Sequence, residues 1–326
     1  MHHGLVPYRD FRVDYPPGAL PVFLVPELFG GYATAFEWLM AALGVATIAV
    51  VERIRPRAAW FVAFSPLLIG PQVLTRFDFW PTLLATAALA GLVAGLDVAG
   101  WTLLGVAVAA KGWPLVLVPL ALVWSWQRGH RRAPLAGLAS LAAIVVPFAV
   151  LAPHGLWDSV REQASRPLQI ESLGAAFITT FGHPHVIDSH GSQNLSGEGG
   201  VAAALVALAA ASLVALWIAY ARGEQSPARL VRYAAATTCA FVAFGKVLSP
   251  QFLIWLVPLV ALVPRRRGVA AAALLSAALV LTQVWFPRHY WDYAMHFHLA
   301  GVVLTRDLVL VVLLGVLALP LRNLDA

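Results

Sequence analysis

Charge is scarce in this sequence. Of 326 residues, 12% are charged and 60% hydrophobic, about half the charge a soluble domain usually carries. A water-soluble fold is thereby excluded. Lysine is nearly missing: Lys111 and Lys246 stand against twenty arginines, and with abundant Ala and Val this resembles the coding bias of a high-GC bacterium. Cysteine is missing but for Cys239, so no disulfide framework exists, and its place in an apolar run reads as a small buried residue. No Gly-rich phosphate loop joins a strand to a helix, which argues against a cytosolic nucleotide site. Alternating apolar and polar residues are rare, which argues against a membrane β-barrel. No internal repeat and no second domain are visible. The opening Met1-His2-His3-Gly4 has no charged segment followed by an apolar core, so no signal peptide is read there. The net charge of +6 is gathered in short arginine clusters between apolar runs, a membrane-orientation pattern rather than a nucleic-acid groove.

What remains is a succession of apolar runs, each near the roughly 20 residues that cross a bilayer or a shorter half-span. The fold class is all-α: a polytopic transmembrane protein of about eleven segments. A short apolar piece at 19–29 precedes helices expected at 32–51, 58–70, 79–96, 101–110, 113–126, 134–152, 200–221, 233–245, 249–264, 268–286 and 299–320. They read as one transmembrane domain, 1–326, with an N-terminal segment 1–31 broken by Pro16-Pro17-Gly18 and a long loop at 153–199. The clusters Arg53/Arg55/Arg57, Arg128/Arg131/Arg132, Arg222/Arg229/Arg232 and Arg265/Arg266/Arg267 fall on one side only if 101–126 is two short helices meeting at Lys111-Gly112-Trp113-Pro114. That side is then cytoplasmic. The aromatic and polar loops fall on the other.

Those loops hold the candidate chemistry. Lys111 and Lys246 each end an apolar run beside a proline-containing turn, where an ammonium must snorkel to water or meet an anion; a lipid-linked phosphate suits both. Asp10 and Asp14 lie four apart near the start, either as a general base toward a hydroxyl or as solvated carboxylates paired with Arg9 or Arg12. Arg76 and Asp78 flank a turn, as an ion pair or as substrate contacts. Arg166, Gln169 and Glu171 open the long loop. His183, His185, Asp188 and His190 follow, without the helical spacing of a metal site. Asn194-Leu195-Ser196 matches a glycosylation acceptor, a pattern frequent by chance. His289-Tyr290-Trp291-Asp292-Tyr293 through His298 reads as an interfacial aromatic belt, with a sugar or lipid contact as the alternative.

Taken in order, Gly4-Leu-Val-Pro-Tyr8-Arg9-Asp10-Phe11, Tyr15-Pro16-Pro17-Gly18, Phe77-Asp78, Lys111-Gly-Trp-Pro114, Arg166-Pro-Leu-Gln169-Ile-Glu171-Ser172, Gly191-Ser-Gln193-Asn194 and Ser249-Pro250-Gln251 through Trp255 resemble glycosyltransferase family 87, whose members have the GT-C membrane fold. The resemblance covers most of the chain. It implies an inverting, polyprenyl-phosphate-sugar-dependent hexosyltransferase, commonly a mannosyltransferase, acting on the extracytoplasmic face of a bacterial plasma membrane. The expected partners are the polyprenyl-phosphate sugar, a glycolipid or glycan acceptor and membrane lipids, with no nucleic acid, no cofactor and no assigned metal. Family members usually begin with a membrane helix and an acidic residue upstream of the Tyr-Arg-Asp stretch. This sequence starts without them, so Asp10 becomes the nearest candidate base. Lys111, Lys246, Arg76, Asp78, Arg166, Gln169, Glu171 and Gln251 are the expected substrate contacts. The rival readings are a lipid-linked-sugar flippase or transporter, and a non-catalytic membrane partner.

Overall fold

The structure, a computed structural model, describes residues 4–321 and 324. Sixteen α-helices and three short strands follow one another: α1 (Leu20–Leu24), α2 (Tyr32–Ile54), α3 (Ala59–Ile69), α4 (Gln72–Thr75), α5 (Phe79–Val93), α6 (Asp97–Ala110), α7 (Val118–Gln127), α8 (Pro134–Leu151), α9 (Pro153–Ser165), β1 (Leu168–Gln169), α10 (Leu173–Phe181), β2 (Val186–Ser189), β3 (Ser192–Leu195), α11 (Gly199–Ala221), α12 (Pro227–Ala243), α13 (Leu253–Leu262), α14 (Arg265–Trp285), α15 (Tyr290–His296) and α16 (Ala300–Ala318). Five of them, α2, α8, α11, α14 and α16, are long and apolar enough to cross a membrane. Large side chains such as Trp38, Trp60, Leu67 and Val150 stay exposed, the surface expected of a protein whose solvent is lipid.

The chain forms two compact units. One comprises the described residues up to Val50 with Leu74–Ser165; the other comprises Val51–Val73 with those from Arg166 onward. In the first unit, α6 ends at Lys111, whose backbone is extended, and a 3-10 turn over Trp113–Leu117 leads into α7. The two arms lie side by side at their far ends. Trp101 Nε1 donates to Ser125 Oγ at 2.9 Å, Ser125 Oγ donates to Asp97 at 3.0 Å, and His130 Nδ1 lies 2.8 Å from Asp97. The stretch therefore doubles back at Lys111, as the arginine pattern requires. A small-residue contact seats α8 on α6: a Cβ on Gly105 would lie 2.1 Å from the Gly137 carbonyl oxygen, an approach that membrane helices reach with glycine.

In the second unit the arginines act as helix caps. Arg55 donates to the carbonyls of Ala261, at 3.1 Å, and Val263, closing the end of α13. Arg232 donates to Leu317 at 2.7 Å and Ala318 at 2.9 Å, while Arg267 donates to Val316 and to Leu319 at 2.8 Å, closing α16. A helix leaves its last carbonyls unpaired, and a guanidinium there also meets the negative end of the dipole. The clusters read from sequence as orientation signals thus have structural work within this unit.

Helix starts differ from expectation where polar residues begin the helix. α12 was expected from 233 yet starts at Pro227, because Ser226 Oγ accepts from the Arg229 amide at 3.2 Å and Pro227 occupies the first turn. The stretch 153–199, expected as a loop, carries α9, α10 and an antiparallel sheet of order β1-β3-β2. Its tight turn is His190-Gly191, both with positive φ (56° and 66°), the geometry of a two-residue hairpin. Asn194 is fully buried there. Its amide nitrogen donates to Ser189 O, Ser189 Oγ and Ser192 O at 2.8, 3.0 and 2.9 Å. Asn194 is a strand-locking residue, so the glycosylation match is a coincidence of sequence.

Candidate functional site

Each unit gathers its own polar cluster. In the first, Asp78 stands just before α5 and Lys111 just after α6. Lys111 Nζ donates to Asp78 Oδ1 at 2.7 Å; the carboxylate is 2% exposed and the lysine 14%. The ammonium also lies 4.6 Å from the centre of the Phe77 ring and 5.9 Å from that of Tyr15, and those two rings meet edge to face at 4.7 Å. A carboxylate and two aromatic faces offset the desolvation of a lysine at an apolar helix end. The sequence offers Arg76 and Asp78 as an ion pair or as substrate contacts. The structure gives Asp78 to Lys111 and leaves Arg76 exposed, because Arg76 shares only a turn with Asp78 whereas Lys111 ends the helix that packs on α5.

The N-terminal segment docks in the same unit. Asp10 accepts from Arg9 Nε at 2.9 Å, Arg9 Nη2 at 2.8 Å and the Val6 amide at 2.7 Å. Arg9 and that amide favour the charged form and pull its pKa down to about 2. Arg12 bridges Asp14, at 2.8 Å, and Glu162 of α9, at 2.9 Å. Gln163 donates to the Asp14 carbonyl at 3.1 Å. Asp14 is therefore a clasp between the segment and α9.

The second unit brings together residues eighty positions apart. Gln169 N donates to the Lys246 carbonyl at 3.0 Å, and Gln169 Nε2 bonds to Ser249 Oγ at 3.2 Å and to Glu171 Oε2. Gln169 and Glu171 are 3% and 2% exposed. Arg166 donates to Ser192 Oγ of β3 at 3.0 Å. Lys246 is half-buried, and burial, with the charge of Arg166 beside it, lowers its pKa. Gln251, in a 3-10 turn next to Ser249, is half-buried. Two cations, two amides and a carboxylate thus share one small region.

Sequence reasoning missed what holds this region. Arg306 and Asp307 of α16 are fully buried and paired at 2.6 Å. Arg306 Nη2 donates to the Glu171 carbonyl at 2.8 Å, and its guanidinium lies 5.7 Å from the centre of the Trp285 ring. Tyr293 Oη donates to the neighbouring Ile170 carbonyl. The signal was present: an Arg-Asp pair inside an apolar run is costly in a membrane and calls for a partner. Tyr293, assigned to an aromatic belt, is fully buried. The histidines of 183–190 come to no metal cluster; among the described residues no group of three His, Cys, Asp or Glu side chains could hold an ion.

The profile of Glycosyltransferase family 87 matches residues 14–254. No curated protein matches the chain significantly. Among solved structures, ArnT from Cupriavidus metallidurans bound to undecaprenyl phosphate is similar at 16% identity with a TM-score of 0.49, over 94% of this chain and 67% of that one; a likeness of that size carries no inference about this chain's ligand. The family match spans well over half of the sequence and includes the Asp78–Lys111 pair and the Arg166–Lys246 region. This chain belongs to glycosyltransferase family 87.

Proposed function

We propose that this membrane glycosyltransferase moves a hexose, mannose, from a polyprenyl-phosphate donor to a glycolipid or glycan of the cell envelope. The reaction takes place on the extracytoplasmic face of a bacterial plasma membrane and inverts the anomeric centre. One observation carries the reading: Gln169 bonds to the Lys246 carbonyl through its amide and to Ser249 through its side chain, so the segment that opens with Arg166 lies against the Lys246 turn. A phosphate can accept a charge-assisted hydrogen bond from each cation, and such cations stabilise the charge that gathers on a departing phosphate.

In the proposed step, an acceptor hydroxyl oxygen attacks the anomeric carbon from the face opposite the phosphate. The bond from that carbon to the phosphate oxygen breaks, and its electron pair leaves with polyprenyl phosphate. The hydroxyl proton passes to a carboxylate base. Arg166 and Lys246 hold the leaving phosphate, while Gln169, Glu171 and Gln251 shape the pocket about it.

The test is sugar transfer in membranes from radiolabelled polyprenyl-phosphate-mannose to extracted envelope lipids. Arg166→Met and Lys246→Met should each raise the donor KM roughly tenfold or more, the size expected for a lost charge-assisted hydrogen bond. Unchanged KM and turnover in both folded variants would remove the phosphate assignment.

A further inference from the structure

The first unit contains a cavity of about 670 Å³ between the N-terminal segment and α9. Its size falls within the range of roughly 300–1,000 Å³ typical of small-molecule sites. Its walls are built rather than incidental. Tyr8 is 5% exposed and holds a positive φ of 68°. Its hydroxyl donates to the Tyr15 carbonyl at 2.5 Å, and its ring meets Phe148 edge to face at 5.4 Å. A Cβ at Gly155 would lie 1.8 Å from the Tyr8 carbonyl oxygen, so only glycine lets α9 approach this closely. The Arg12–Glu162 ion pair ties the two walls together.

The lining has a particular chemistry. It presents three arginines, Arg9, Arg12 and Arg161, and three carboxylates, Asp10, Asp158 and Glu162. The signs balance, which disfavours a phosphate as occupant. A neutral polyol is different: each hydroxyl donates to a carboxylate and accepts from a guanidinium. The side chains of Asp158 and Arg161 make no hydrogen bond or ion pair among the described residues, so one acceptor group and one donor group stand available on successive turns of α9. Phe11, 40% exposed at the rim, adds an aromatic ring for the apolar C–H face of a pyranose.

We infer that this cavity is a binding site for neutral hexose units, the glycan end of the acceptor, with Asp158 and Arg161 as its recognition residues. The assignment rests on the glycosyltransferase reading above. It leaves the donor phosphate to the second unit.

The experiment uses the full chain in lipid nanodiscs without donor. It is titrated by calorimetry with neutral mannose, glucose and galactose oligosaccharides, with the same glycans carried on a lipid, and with inorganic phosphate. The variants are Asp158→Asn and Arg161→Gln, exposed positions that leave the clasp intact. Saturable binding of a neutral glycan, weakened roughly tenfold in either variant, supports the site. Equal binding of free and lipid-borne sugar marks a glycan site, and binding of the lipid-borne form alone marks a glycolipid headgroup. No saturable neutral binding, binding of phosphate alone, or full affinity in both variants overturns it. Because no donor is present, loss of the phosphate assignment through Lys246→Met and loss of this site are separate results.

Discussion

Lys111 and Asp78 meet at 2.7 Å with the carboxylate 2% exposed, and the pair joins the end of α6 to the start of α5. Removing one partner of a buried pair leaves an uncompensated charge, which costs about 3–5 kcal/mol, whereas replacing both with apolar residues is often nearly neutral. Asp78→Leu alone should therefore lower the thermal midpoint in detergent markedly. The double variant Asp78→Leu/Lys111→Met should recover most of that loss. If the single and double variants unfold alike, the pair is not what joins these helix ends.

Lys246 supplies a pH signature. Burial and the neighbouring Arg166 lower its pKa, so the ammonium is present at low pH and is lost as pH rises through a value below the ordinary lysine range. A group whose charged form is disfavoured by folding detracts from stability while charged, so its cost to stability diminishes as pH rises through that window. Donor affinity moves the opposite way. It should fall with rising pH in that window, and Lys246→Arg should abolish the decline because guanidinium stays protonated. A decline unaltered by Lys246→Arg would assign it to another group.

Asp10 makes a contrasting prediction. Its pKa is drawn down to about 2 by Arg9 and the Val6 amide. The depressed value contributes stability above the unfolded aspartate range that is lost as pH falls toward about 2. A base so acidic is fully ionised near neutrality, so kcat/KM should show no acid limb from Asp10 above about pH 4. Arg9→Gln should shift its titration upward, visible by NMR of a labelled aspartate. An acid limb near neutrality that survives Asp10→Asn would place the base on another carboxylate.

Much of the architecture was legible because the bilayer simplifies the code. An apolar run must bury its backbone bonds internally, so α2, α8, α11, α14 and α16 follow from composition alone. The break at Lys111 was legible from Gly112 and Pro114 together with the arginine count. Lys111 and Lys246 stand out in the sequence as ammonium groups at the ends of apolar runs, Asp78 as a turn residue, and Arg166, Gln169 and Glu171 as polar residues opening a long loop, and the structure finds a partner or a cluster for each.

What the sequence could not assign was partners distant along the chain. That Asp78 pairs with Lys111 rather than Arg76 depends on α5 and α6 packing side by side. That Arg306 supports the Glu171 carbonyl, 135 residues away, depends on where α16 lies, and no local spacing encodes it. The strands of 186–195 escaped notice because His190-Gly191 is not the usual turn pair and the strands are only four residues long. Burial of Asn194 then cancelled a motif that looked like a modification site. The sequence by itself determined that this protein is helical, apolar and membrane-spanning, because the penalty for an unsatisfied backbone in lipid acts on every residue. Only the tertiary structure decided which charges face one another, because the energy of an ion pair depends on a distance between side chains that the chain's own order does not record.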